Sequence, residues 1–243
     1  MDNYRIYGNP MADYCILQLQ GKHEIEMIEQ ELNRIRSTYD EAKWCLITVP
    51  VNEWDNEMSP WPMSSQSMAL AGSTTGAESV HSGIQEHIPG RVFGNGAKDK
   101  LEQILQEIIP DFESRYCRDS EQRRRYGLAG YSLAGLFALW ASYQTNAFDA
   151  VAAMSPSVWY PGWIEYAREN ECRANKIYLS LGSKEHKTRN KMMGTVADAI
   201  REQQEILNRQ EKEVVLEWNE GNHFANVLER ISKGIVWMLS SNE

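Results

Sequence analysis

Apolar positions along the chain switch between two periods. Tyr14-Cys15-Ile16-Leu17-Gln18-Leu19-Gln20 predicts a short apolar strand, and from Ile25 the residues Met27, Ile28, Leu32 and Ile35 recur at helical spacing. Trp44-Cys45-Leu46-Ile47-Thr48-Val49-Pro50-Val51 is then continuously apolar, the mark of a parallel strand buried on both faces. The opening therefore reads β-α-β. Further along, Leu101, Ile104, Leu105, Ile108, Ile109 and Phe112 trace a helix stripe through Pro110, which should kink or divide it. A strand ending at Gly130 and a helix from about Leu133 to Tyr143 follow. Strands at Phe148–Met154, Lys176–Leu181 and Glu213–Trp218, with helices at about Met192–Asn208 and Ala225–Leu239, complete the series. Such alternation predicts an α/β fold, a mostly parallel central sheet with helices on both faces.

One segment breaks the rhythm. From about Asn52 to Gly96 the chain is rich in Ser, Gly, Thr, Pro and Met with little periodicity, too long for an ordinary connection. It reads as an irregular excursion over the substrate face. A length of 243 residues is compatible with a single α/β domain over 1–243, and no internal repeat points to another architecture.

Hydrophobic residues at 42% and charged residues at 24% place the chain among ordinary folded proteins. A formal net charge of −9 argues against nucleic acid or an anionic membrane as partner, since such binding rests on neutralising phosphates with Lys and Arg. Arg123-Arg124-Arg125 then reads as a solvated approach to a strand. No run approaches the roughly 20 apolar residues that span a bilayer, and Met1-Asp2-Asn3-Tyr4-Arg5 leads into no apolar signal-peptide core, so a cytoplasmic location follows by default. Cys15, Cys45, Cys117 and Cys172 lack CxxC spacing or paired histidines. They read as reduced structural thiols, with neither a zinc site nor a disulfide framework.

The chemistry centres on Gly130-Tyr131-Ser132-Leu133-Ala134-Gly135. Tyr126-Gly127-Leu128-Ala129-Gly130 is a strand of small and apolar residues, and Leu136-Phe137-Ala138-Leu139-Trp140 continues a helix just past the serine. A serine on so sharp a strand-to-helix turn needs small residues two positions before and after it, and Gly130 and Ala134 stand there. A helix beginning at Leu133 aims its dipole and free N–H groups at a developing oxyanion, with the Leu133 N–H as one donor. A tight structural turn is the competing reading. Serine needs a base, and the base needs a carboxylate to set its tautomer. Where a serine sits on such an elbow the chain order is serine, acid, histidine. Of the two later histidines, His186 follows Glu185, and His223 lies in Glu220-Gly221-Asn222-His223-Phe224 between the last strand and helix. That loop, at a strand's carboxyl end, makes His223 the candidate base. Glu185, past the Gly182-Ser183 turn, is the candidate acid, with Asp149 as the alternative. The second oxyanion donor should come from the loop after the early strand, Gln20-Gly21-Lys22-His23, where the Lys22 N–H is the candidate. Trp54, Trp61 and Trp159 are candidates for walling an apolar acyl or aromatic pocket, with simple packing as the alternative.

Taken together, Gly-Tyr-Ser-Leu-Ala-Gly at 130–135, Leu-Gly-Ser-Lys-Glu at 181–185 and Gly-Asn-His-Phe at 221–224 resemble the enterochelin-esterase-like branch of the α/β-hydrolases, which also includes S-formylglutathione hydrolases. The resemblance spans about Tyr14 to Leu239, and includes Trp54-Asp55-Asn56-Glu57-Met58-Ser59-Pro60-Trp61 and Ile108-Ile109-Pro110. It implies the α/β-hydrolase fold and a serine esterase whose nucleophile, acid and base map to Ser132, Glu185 and His223. Two departures stand out: Ala134 replaces the usual glycine, and the early strand lacks the usual His-Gly. The implied reaction cleaves a small-molecule carboxylic ester through an acyl-enzyme and requires no metal or cofactor. The same triad serves thioesterases, peptidases and acyltransferases, and a non-catalytic binding protein could retain the fold. Oligomeric state is not legible.

Overall fold

The computed structural model describes residues 3–63, 93–117 and 123–240. Most of the 52–96 excursion, residues 64–92, thus lies outside the described residues. Among the described residues seven strands form one sheet: β1 (Arg5–Gly8), β2 (Tyr14–Gln20), β3 (Cys45–Pro50), β4 (Arg125–Tyr131), β5 (Ala150–Met154), β6 (Lys176–Gly182) and β7 (Glu213–Asn219). Their spatial order is β1-β3-β2-β4-β5-β6-β7. Every pair is parallel except β1 with β3. Six strands coincide with strands expected from the sequence. The antiparallel edge strand β1 does not, because its Arg-Ile-Tyr-Gly is short and partly exposed and carries no apolar run.

The sheet has two apolar faces. Alternate residues of β2, Cys15, Leu17 and Leu19, pack into one cluster with α4 (Ala97–Gln103), α5 (Ile109–Arg115), α6 (Leu133–Gln144), α7 (Trp163–Glu169) and α8 (Val196–Arg209). Tyr14 and Ile16 face the other cluster, which α2 (Ile28–Arg36) and α9 (Val227–Ser240) close. Helix α6 is apolar all round because sheet and neighbouring helices enclose it: Leu133 through Tyr143 are all buried. Short helices α1 (Lys22–Glu26) and α3 (Trp54–Glu57) follow β2 and β3. Between α4 and α5 one π-helical turn, Ile104–Ile108, takes up the strain of Pro110, whose ring lacks an N–H and crowds the carbonyl four residues back. Among the described residues no helix is long and apolar enough to cross a membrane.

The expected solvated Arg123-Arg124-Arg125 run is corrected at its centre. The Arg124 side chain is fully buried: it pairs with Glu113 at 2.9 Å and donates to the carbonyls of Pro10, Ala12 and Tyr116. Its guanidinium also lies 4.7 Å from the Phe112 ring centroid. A planar cation with five donors can be buried when carbonyls and a carboxylate take up those donors, a condition that local composition does not reveal.

Buried Glu31 on α2 is the structure's clearest pH-dependent element. Gln18 Nε2 donates to its Oε2 at 3.1 Å, while Glu31 Oε1 and Gln18 Oε1, both acceptors, are left without partners. Burial pushes the carboxyl up to about 8 against the lowering effect of that hydrogen bond. A proton on the carboxyl removes the negative charge that burial penalises. In the unfolded chain the group titrates near the ordinary value of about 4.3. As pH rises from there toward 8, the native state alone keeps the proton, and stability falls across that window. Glu31→Gln, which mimics the protonated group, should therefore be more stable than the parent at pH 7.5 by on the order of 2 kcal/mol, and should lose most of that advantage at pH 5. Denaturant unfolding at the two pH values checks this; an identical gap at both would contradict it.

Candidate active site

The carboxyl ends of β4, β5, β6 and β7 deliver the site. Ser132 sits between β4 and α6 with φ 59° and ψ −121°, a left-handed conformation disfavoured for any residue with a Cβ. Three backbone bonds hold it: its N–H donates to Met154 O at 3.0 Å, and its carbonyl accepts from Leu136 at 3.1 Å and Ser157 at 3.0 Å. Gly130 permits this turn, since a Cβ there would lie 2.3 Å from the Ala134 carbonyl oxygen. A methyl at 134 fits where the resemblance led to a glycine.

Ser132 Oγ lies 3.0 Å from His223 Nε2, and His223 Nδ1 lies 2.8 Å from Glu185 Oε2. The three side chains thus form a continuous hydrogen-bonded chain drawn from three loops. The Glu185 side chain is 4% exposed and that of His223 28%, so the carboxylate is shielded while the imidazole opens to the site's mouth. Glu185 Oε1 accepts from the Gly182 N–H at 2.6 Å, Ser155 Oγ at 2.8 Å and Arg230 Nη1 at 2.8 Å. Burial alone would raise the Glu185 carboxyl; the His223 contact and the Gly182 and Ser155 bonds outweigh it and hold the group below the usual carboxylate range. Asp149, the alternative acid, immediately precedes β5, five positions before Met154 at the elbow. That is about 16 Å along the strand. His186 is exposed and His23 lies on α1.

Leu133 opens α6, so its N–H is among those a helix leaves without an internal partner. β2 lies beside β4, with Gln18 opposite Ala129, and Lys22 opens α1 just past the carboxyl end of β2. Trp54 on α3 packs over this loop, its ring 3.1 Å from where a Cβ on Gly21 would stand. Its own loop is tied down by Glu57, which accepts from the N–H groups of Asn52 and Glu53 and pairs with buried Lys100 at 2.7 Å. Trp61 is engaged in packing: Nε1 donates to Pro161 O at 2.8 Å, and the ring stacks 6.4 Å from Trp163. Trp159 is half-buried beside Tyr160, two residues past the Ser157 that bonds Ser132. Phe224, 40% exposed, meets the His223 ring edge-on at 5.1 Å.

Sequence reasoning passed over Arg230, Ser155 and Tyr131. Arg230 is fully buried on α9 among Val227, Ile231 and Ile235. A lone arginine on an apolar helical stripe was the available signal. Ser155, at φ 45°, and Tyr131, whose hydroxyl donates to His223 O at 2.5 Å, had none. Among the described residues no cluster of three or more His, Cys, Asp or Glu side chains could hold a metal ion.

The family described as "Putative esterase" matches residues 30–223, four-fifths of the chain. The chain belongs to this esterase family. It is an esterase, a hydrolase acting on carboxylic ester bonds of small molecules. An IroE-like serine hydrolase from Shewanella oneidensis superposes with a TM-score of 0.68 at 14% identity, covering 99% of this chain and 76% of that one. The siderophore hydrolase EstA from Aspergillus nidulans gives 0.65 at 17% identity, covering 99% and 95%. The enterobactin esterase FES from Shigella flexneri gives 0.61 at 15% identity, covering 99% and 56%. At these identities the likeness speaks for the fold, which is that of the α/β-hydrolases, as the sequence led us to expect. No curated protein matches the chain.

Proposed function

We propose that this esterase works through Ser132 as nucleophile, His223 as general base and Glu185 as the acid that orients it, within one α/β-hydrolase unit. The observation carrying this reading is the unbroken Ser132–His223–Glu185 hydrogen-bond chain, at 3.0 and 2.8 Å, on a strained elbow. Ser132 Oγ attacks the ester carbonyl as His223 Nε2 takes its proton. The charge that develops on the carbonyl oxygen is met by the Leu133 and Lys22 N–H groups, supported by their positions at two adjacent strand ends. Glu185 keeps Nδ1 protonated and facing it, so that Nε2 is the free base. His223 then gives its proton to the departing alkoxide. Water, deprotonated by the same histidine, attacks the acyl-enzyme, and the acid leaves with Ser132 restored.

Trp54, beside the proposed oxyanion loop, and Phe224, beside the base, flank the reacting atoms and suit an apolar or aromatic group. Trp159 adds a half-buried ring on the elbow side; Trp61, bonded to Pro161, braces the wall behind. A cytoplasmic location goes with this reading, supported by four unpaired cysteines, of which Cys117 is exposed. A fluorophosphonate probe followed by peptide mass analysis tests the assignment. We expect one adduct, on Ser132, forming at least about a hundred-fold more slowly in His223→Ala. An adduct on another serine, or equal labelling of the two proteins, would refute it. Parallel assays of ester, thioester and amide analogues of one acyl group should favour the ester.

A further inference from the structure

A glutamate has one more rotatable bond than an aspartate, so presenting one oxygen to a histidine requires that the other be held. At Glu185 that task falls to Oε1, which accepts from Gly182 N–H, Ser155 Oγ and Arg230 Nη1, while Oε2 faces His223. Arg230 does more than neutralise the carboxylate. The same Nη1 reaches Ser155 Oγ at 3.0 Å and Tyr131 Oη at 3.3 Å, and Nη2 donates to the carbonyls of Glu220 and Asn222, each at 2.9 Å. Those carbonyls lie just before His223 in the chain. One guanidinium therefore ties the loop of the acid to the loop of the base. Gly182 leaves room for it: a Cβ there would lie 2.6 Å from Arg230 Nη2 and 2.9 Å from Glu185 Oε1. With no exposed side-chain surface, Arg230 cannot touch a substrate.

We propose that Arg230, bridged by Ser155, is a positioning residue that sets the Glu185–His223 geometry and the charge His223 meets during turnover. This rests on the triad assignment above. The groups facing the pair are Tyr131 from β4, Ser155 after β5 and Arg230 from α9. Tyr131 stays neutral in the working range, its hydroxyl pushed up to about 12 by burial. Arg230 is thus the permanent charge that offsets the carboxylate next to the imidazole. Without it, the uncompensated carboxylate favours the imidazolium, and His223 stays protonated, hence inactive as a base, to higher pH.

The test compares pH profiles of kcat/KM for an aryl ester in the full-length parent, Arg230→Met, Arg230→Lys and Ser155→Ala, with thermal unfolding as the check on folding. In Arg230→Met we expect kcat to fall about a hundred-fold near neutral pH with KM changed less than about threefold, and the acid limb to move alkaline by about one pH unit. Arg230→Lys, which keeps the charge but loses the fork, should lower kcat with the limb unmoved. Ser155→Ala removes a donor to the carboxylate and should move the limb the same way by a smaller amount, and it carries the test if Arg230→Met does not fold. A folded Arg230→Met whose activity falls equally at every pH, or an unmoved limb and unchanged kcat in Ser155→Ala, would overturn the proposal. Glu185→Gln separates the two levels: parental turnover there would overturn the triad assignment itself, whereas its loss beside an unmoved Arg230→Met profile would overturn only the role given to Arg230.

Discussion

Ser132→Ala should reduce kcat for a short-chain aryl ester by about 10⁵-fold or more, leaving only the modest acceleration that bound water and oxyanion donors can supply. The reason is local. Ser132 Oγ, the proposed nucleophile, lies 3.0 Å from His223 Nε2, and alanine removes that atom while adding nothing to the elbow. Folding should survive. The backbone bonds that hold the turn run from Ser132 N–H to Met154 and from Leu136 and Ser157 to the Ser132 carbonyl, and none uses the hydroxyl. A melting temperature within a few degrees of the parent, with KM or inhibitor affinity little changed, should accompany the loss. Undiminished turnover in the folded variant would sink the nucleophile assignment. Loss of folding together with activity would point instead to a structural hydroxyl, against the present geometry.

Much of this arrangement was written in local patterns. Buried parallel strands are apolar along their whole length, so β2, β3, β5 and β6 could be read as runs. The sharp turn at Ser132 was legible because its geometry demands small residues at fixed offsets, which Gly130 and Ala134 supply. The serine, acid, histidine order then brought Glu185 and His223 forward, and the structure places them within hydrogen-bond reach. What stayed hidden depends on contacts between distant segments. Arg124 draws its burial from carbonyls at positions 10, 12 and 116, more than a hundred residues away for two of them. Arg230 is paired across 45 residues with Glu185 and across 75 with Ser155. A cation inside an apolar stripe signals that a partner exists, but sequence spacing does not say which one. Trp61 shows the same limit from the apolar side, since only the fold reveals that its ring stacks on Trp163 a hundred residues on.

Glu185→Gln should lower kcat by about 10³–10⁴-fold, while Asp149→Asn should leave it within about twofold. Two consequences of the amide work together. A glutamine at 185 can turn its NH₂ toward Nδ1, stabilising the tautomer whose proton sits on Nε2 and so closing the base to Ser132. It also carries no charge to stabilise the imidazolium that forms as Ser132 attacks. The variant should be less stable by roughly 3 kcal/mol, because Arg230, whose side chain has no exposed surface, then keeps a buried charge without its carboxylate. The native contribution has a definite pH signature. Since the folded-state carboxyl lies below its unfolded value, its stabilisation is complete above the unfolded value and is lost as pH falls through the folded one. The stability gap between parent and Glu185→Gln should accordingly narrow on acidification below about pH 4. Asp149 lies just before β5, at the far end of the strand from the elbow, where a change of charge reaches neither Ser132 nor His223. Turnover and unfolding measured on both variants decide the matter: a large loss in Asp149→Asn beside a near-parental Glu185→Gln would move the acid, and with it the role of the Arg230 bridge.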